Sequence, residues 1–345
     1  MPDIETECRR PDGRPDLRAV PTFIETTHPQ INEGVFMPQL VDLPVFDNEV
    51  ADSTIARAPE FDQTSGKAWY KKVTMNTGTR YSVVVGQPNK PMSDVAFLFT
   101  TALGTRIEDT YNLGIVRDMM EIGIPVIGVG PEENHSISIA ETAHNMHAIA
   151  DETDALAFYS PHKLFGGGDS RGAMTMNGVM AMAEKKDREV VDAYLVDPCL
   201  AMPINYTSLK EQRHYARSSV VEVYSFARQI RNMSMTERLE HIRRLKFSPG
   251  IIGRTALPLR SGQAGELAMQ MDEEQKAHVV LFLGSIANQY KTWDKIYEKF
   301  PNITTSLLKG SHVSLLRKDV RHARQDYMAD ARDRLDDQPA LTRVI

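Results

Sequence analysis

Apolar and polar positions divide the chain into a polar leader and a long stretch where short apolar runs alternate with helical stripes. Residues 1–60 are rich in Pro, Asp and Glu and carry little periodicity, which predicts an extended N-terminal arm. Within it, 34–43 and 46–55 hold enough apolar side chains to lie against a core. From Lys67 the pattern changes. Residues 68–75 and 81–85 alternate and are rich in β-branched types, and Asn76, Thr77, Gly78 and Thr79 between them suit a hairpin turn. The continuous apolar run 95–99 predicts a strand covered on both faces. Residues 109–122 have helical spacing at Leu113, Val116, Met119 and Met120, closed by Gly123.

The alternation continues with buried strands predicted at 124–129, 163–166, 193–196, 279–283 and 302–308. Helices are predicted at 139–158, 171–183, 293–300 and 313–335. In the last of these, Val313, Leu316, Val320, Ala323 and Tyr327 share one stripe at spacings of three and four. Strands alternating with helices imply βαβ units. The expected fold class is therefore α/β, a mostly parallel central sheet with helices on both faces. Residues 199–276 break the alternation, being mainly helical and more charged, and are expected to form a helical cap. The core is then 61–198 together with 277–345.

Composition narrows the function classes. The 345 residues carry 40 Lys and Arg against 46 Asp and Glu, a formal net charge of −6, so no basic excess exists to neutralise nucleic-acid phosphates. Apolar residues at 41% and charged residues at 25% are the mix of a globular protein with a large core. Cys8 and Cys199, the two cysteines, cannot build a disulfide framework. The apolar runs are far shorter than the roughly 20 residues a bilayer span needs, and the first residues lack the layout of a secretory signal. A cytoplasmic protein with no membrane span is expected.

Candidate chemistry concentrates in Gly168-Asp169-Ser170-Arg171-Gly172, a G-x-S-x-G pattern. Average residue usage gives roughly 0.1 chance matches in a chain of this length, so the bare pattern is moderate evidence. Its placement strengthens it, because a buried strand runs in and a helix runs out. A serine on so sharp a turn holds a strained backbone that projects its hydroxyl clear of the sheet. Side chains two positions either way would collide, which explains the two glycines. The same turn sets Ser170 at a helix N-terminus, where the Arg171 N–H can stabilise an oxyanion. Such a serine needs a base. His312, in Gly310-Ser311-His312, follows a predicted strand and precedes the last helix, so it can reach the same edge of the sheet.

On these residues the chain resembles the α/β-hydrolase superfamily over roughly 67–335. The elbow, the late histidine and the strand order between them carry the resemblance. The loop from Gly128 to Ser136 is also similar to the Gly-rich turn after that family's fourth strand. The resemblance implies an esterase- or lipase-like serine hydrolase with a nucleophile–acid–histidine triad in that chain order, Ser170 being the nucleophile and His312 the general base. The family's usual acid position follows the strand at 279–283, where 284–289 hold no carboxylate; Asp294 is the first beyond it. A minority of members place the acid one strand earlier, which here is Asp197, held at the strand end by Pro198. Asp197 is the favoured acid and Asp294 the alternative, with Asn288 or a water as a further option. The second oxyanion donor is implied in the loop after the third strand, at Thr101 or Ala102.

Other groups carry weaker signals. Glu141, His144 and His147 have metal-like spacing on one helix, but a structural trio is favoured over a metal site. Arg243, Arg244 and Lys246 lie among glutamates, as on a solvated helix face. The methionines of 171–183 suit a core stripe, with an acyl pocket as second role. The expected function is hydrolysis of a carboxylic ester through an acyl-enzyme, with no metal or organic cofactor and a small-molecule ester as partner. The alternatives are a peptidase or acyltransferase on the same triad, or a non-catalytic binding protein of the same fold. Oligomeric state is left open, a homodimer among the options.

Overall fold

The computed structural model describes residues 42–43, 45–58, 65–102, 105–132, 138–154, 162–198, 235, 263–271, 278–283, 296, 304–307 and 318–336. Its first strands are β1 (Val50–Arg57), β2 (Gly66–Met75), β3 (Arg80–Pro88) and β4 (Ala96–Thr100). Alternating units follow: α1 (Thr110–Glu121), β5 (Val126–Pro131), α2 (Ile139–Asp154), β6 (Lys163–Asp169), α3 (Arg171–Met182) and β7 (Glu189–Val196). Last come α4 (Gln263–Met269), β8 (His278–Leu283), β9 (Thr304–Leu307) and α5 (Lys318–Asp336).

Among the described residues these strands form one nine-stranded sheet in the order β1-β2-β3-β5-β4-β6-β7-β8-β9. The first three strands are antiparallel, as is the β3–β5 pair. From β5 to β9 all pairs are parallel. The β2–β3 hairpin turns at Gly78, whose φ of +80° is a left-handed conformation that costs a glycine little. Strands β4 and β5 are covered on both faces, as their continuous apolar runs require: every residue of β4 and all but the last of β5 are buried.

Successive side chains point to opposite faces and so fill two cores. Leu98, Ile127, Val129, Leu164 and Leu195 pack with α2, α3 and α4. Phe97, Phe99, Val126, Phe165, Tyr194 and Val196 pack with α1 and α5. Helices therefore cover both faces, as the sequence predicts.

Three differences from the sequence reading are structural. The segment 50–57, expected within the arm, is an edge strand of the sheet. Its side chains are mostly exposed on both faces, so no alternation marked it. The strand predicted at 163–166 runs on through the glycines to Asp169. Residues 263–269, expected within the cap, pack on the core: Gln263 Oε1 accepts from the N–H groups of Ile139 and Ala140 at 2.7 and 3.3 Å, capping α2. Apart from residues 235 and 263–271, residues 199–276 lie outside the described residues. Among the described residues no helix is long and apolar enough to cross a membrane.

Helix α2 carries a polar strap. Asn48 donates to Glu141 Oε1 (3.1 Å) and Asn145 Oδ1 (3.0 Å), and its carbonyl meets His144 Nε2 at 3.1 Å. His147 is fully buried, with Nε2 3.0 Å from the Val179 carbonyl. The two rings thus serve different partners. Among the described residues no His, Cys, Asp and Glu cluster is disposed to hold a metal.

Burial lowers the His147 pKa from 6.5 to about 3, the bond to Val179 opposing only part of the shift. Its Nδ1 has no hydrogen-bond partner among the described residues, so a proton there would bury an unpaired donor and a charge. The unfolded chain takes that proton near pH 6.5 and the folded one only near 3. Stability is accordingly lost as pH falls through this window, by up to about 1.4 kcal/mol per unit from this group. A His147→Leu variant is expected to show a shallower loss between pH 6.5 and 4, whatever its stability at pH 7.5. Urea unfolding across that range checks it.

Candidate active site

Between β5 and β6 the chain passes back over β4, so the order of strands reverses beside β4. In open α/β sheets the crevice outside the carboxyl ends at such a point is where ligands bind. The ends of β4, β6 and β7 bring Thr101, Ala102, Ser170, Arg171 and Asp197 to this edge.

Ser170 links β6 to α3 at φ 56° and ψ −117°, a conformation that costs a non-glycine residue about 1–3 kcal/mol and persists only when its surroundings enforce it. They do so on each side. The Ser170 N–H donates to the Val196 carbonyl at 2.7 Å, and its own carbonyl accepts from Met174 N–H at 3.1 Å. Its side chain does not cap α3. The residue is 9% exposed.

The flanking glycines answer to two separate contacts. A Cβ on Gly168 would sit 2.3 Å from the Gly172 carbonyl carbon and 2.5 Å from the Ala173 nitrogen, so α3 lies directly against its own strand. A Cβ on Gly172 would sit 2.1 Å from the Thr100 carbonyl oxygen, so the helix start also abuts β4. Both obstacles are backbone and cannot rotate away. Gly167 similarly leaves room for the Phe97 ring on the opposite face.

The Arg171 N–H is in the first turn of α3, where backbone donors have no intrahelical partner. Its guanidinium is buried, which pulls its pKa down against the opposing influence of Tyr81. Burial in turn pushes the Tyr81 phenol up to about 12, with Asn145 Nδ2 donating to its oxygen at 3.0 Å. Of the two loop candidates, Thr101 spends its N–H on the Val129 carbonyl at 3.2 Å. Ala102 follows in a turn, its carbonyl accepting from Thr105 N–H (3.1 Å) and Thr105 Oγ1 (2.9 Å).

Asp197 follows the last residue of β7, is 1% exposed and has φ 46°, a left-handed conformation in front of Pro198. It comes directly after Val196, whose carbonyl receives the Ser170 N–H. His312 and Asp294 lie outside the described residues.

Asp169, the elbow residue to which the sequence assigns no role, is a buried partner in the fold. Its buried carboxylate pairs with Arg324 of α5, whose guanidinium lies over the Tyr194 ring at 5.3 Å. The available signals were an acid closing an apolar, glycine-rich strand and an arginine four positions after Val320 in a buried stripe.

Neither a family model nor a curated protein matches the sequence. Solved structures do match the fold. An esterase of Pyrococcus furiosus superposes with a TM-score of 0.51 at 9% identity, over 86% of this chain and 98% of its own. A membrane phospholipase A described as a bacterial virulence factor gives 0.51 at 12%, over 78% and 88%. The protein DcsB, in complex with its substrate analogue, gives 0.50 at 13%, over 81% and 99%. This likeness is one of architecture: the chain has the α/β-hydrolase fold.

The Gly172 contact makes a direct prediction. Gly172→Ala places a methyl against an immobile carbonyl and is expected to cost at least the ~1–3 kcal/mol of an overpacked core. Gly178→Ala, deeper in α3, would meet the Ala143 methyl carbon of α2 at 2.7 Å, a smaller overlap than the 2.1 Å at Gly172, and is expected to cost less. Thermal unfolding of the two variants compares them.

Proposed function

On this α/β-hydrolase frame, we propose that the protein is a serine hydrolase that cleaves carboxylic esters through an acyl-enzyme. The observation that carries the reading is the backbone of Ser170, a non-glycine residue at φ 56° where a buried parallel strand turns into a helix. Nothing in packing alone calls for a strained residue there, and such strain concentrates at functional sites.

The steps follow from the geometry. The Ser170 hydroxyl attacks the ester carbonyl while the His312 imidazole takes its proton. The negative charge on the tetrahedral oxygen is received by the Arg171 N–H, at the positive end of α3, and by a second backbone donor. Ala102 is the better second donor, because the Thr101 N–H is engaged in the sheet. Collapse expels the alcohol, which takes the proton from His312. A water activated by the same imidazole then releases the acid. Asp197 orients the imidazole and stabilises its charged form. Its position supports this role, since it sits beside the serine turn at the carboxyl end of β7. By chain order His312 falls between β9 and α5, and β9 runs parallel to β6, so that connection leaves the sheet at the same edge. The esterase and phospholipase neighbours act on ester bonds and support the reading by analogy of fold.

Two measurements test it. A fluorophosphonate probe is expected to label the wild type and not Ser170→Ala or His312→Ala; equal labelling of Ser170→Ala removes the nucleophile, and an unlabelled wild type favours a binding protein. Asp197→Asn is expected to lower ester turnover about 1,000-fold or more while leaving the fold intact. Near-normal turnover moves the acid to Asp294 or to no carboxylate.

A further inference from the structure

The last helix is tied to the strand that presents Ser170 by charge. Arg324 of α5 is 1% exposed and pairs with Asp169, which is 3% exposed and immediately precedes Ser170. Tyr194 of β7 lies under the guanidinium, and Tyr111 of α1 shares the same electrostatic neighbourhood. Burial, reinforced by Asp169, keeps the Tyr111 phenol protonated, and burial does the same for Tyr194. One strand end and two helices thus converge on a single carboxylate.

Stability alone is a weak reason for this arrangement. Taking two charges out of water is costly, and apolar residues of similar volume often serve a core as well or better. A charge pair does specify position: Arg324 stands beside Asp169 in the register that also gives Arg321 to Asp118 and Arg334 to Asp192. The position it specifies is one residue from Ser170. Backbone contacts also restrain that serine, among them the Val196 carbonyl, the Met174 N–H, and the approach of Gly172 to Thr100. α3 lies on one face of the sheet, whereas Asp169 reaches to the other, where α5 packs. Its side chain therefore restrains the turn from the face opposite α3.

We propose that Asp169 and Arg324 are positioning residues, their buried ion pair clamping the serine turn to α5 and holding Ser170 in the strained geometry from which it attacks. The inference rests on the nucleophile reading of Ser170. α5 begins only a few residues after His312, so the same pair also anchors the segment that follows the proposed base.

The test uses the full chain. Asp169→Asn/Arg324→Met removes both charges at similar volume, and Arg324→Lys keeps the charge but loses the planar fork. Each is compared with wild type and Ser170→Ala for thermal unfolding, rate of fluorophosphonate labelling, and kcat and KM on p-nitrophenyl butyrate. The double variant is expected to unfold cooperatively near the wild-type temperature, yet to lose about 100-fold in labelling rate and kcat, the scale of a misplaced reacting group, with KM almost unchanged. Arg324→Lys is expected to fall between the two. A folded double variant with wild-type labelling and kcat overturns the proposal. If the double variant does not fold, Arg324→Lys decides: a drop in kcat at constant KM supports the clamp, and an unchanged kcat overturns it. A wild type that does not label at Ser170 overturns the nucleophile reading and the clamp together, whereas a labelled wild type with unaffected variants overturns the clamp alone.

Discussion

Between Gly172 and the Thr100 carbonyl there is room for a hydrogen and nothing larger. That close approach sets how near α3 comes to β4, and the geometry of the site follows from it. It brings the first turn of the helix beside the 100–102 loop. It also stops the helix from moving any closer to β4. The second glycine, Gly168, lets the same helix lie on its own strand. One short motif therefore satisfies two contacts of different range, one inside the β6–α3 unit and one between that unit and its neighbour. The strain at Ser170 is sustained because these contacts, and the Val196 carbonyl, leave the turn no other place to go.

The two faces of the sheet are covered by different physics. On one, α3 packs through methionine and alanine side chains that fill irregular space, including Ala173, Met174, Met176 and Met180. On the other, α5 contributes few apolar contacts, such as Val320, Ala323 and Met328, and many polar ones. Arg321 reaches Asp118 at 2.6 Å, Arg324 reaches Asp169, Arg334 reaches Asp192 at 2.8 Å, and Arg332 donates to the Ile122 carbonyl. Tyr327 donates to Asp192 as well. Apolar packing tolerates small shifts in register, but a row of charge pairs does not. Burial still tells on these groups: it raises the Asp118 pKa to about 6 even with Arg321 alongside. The face that meets the serine strand through charge is thus built for placement more than for strength.

The chain ahead of β1 is held by comparable means. Asn48 bridges Glu141 and Asn145 on α2, and the Phe46 ring lies 5.6 Å from His144. Asn145 continues to Tyr81, which stands near Arg171. A polar path therefore runs from the start of the sheet to the residue after Ser170, on the face opposite Arg324.

The sequence by itself determined the alternation of strands and helices, the β2–β3 hairpin, the parallel class of the sheet and the strand–serine–helix turn. These are local properties, because the pitch of a strand or helix decides which positions along it share a face. It did not reveal β1, whose exposed side chains carry no periodic signal. Nor could it separate Thr101 from Ala102, because the Thr101 N–H is claimed by Val129, which comes from another βα unit. Arg324 shows the limit most clearly. Its place beside the apolar stripe hints at burial, but the carboxylate that makes that burial tolerable lies 155 residues away in the chain. Only the tertiary structure decided which charges meet, since a buried charge is set by the partner that long-range pairing delivers and not by its neighbours in sequence.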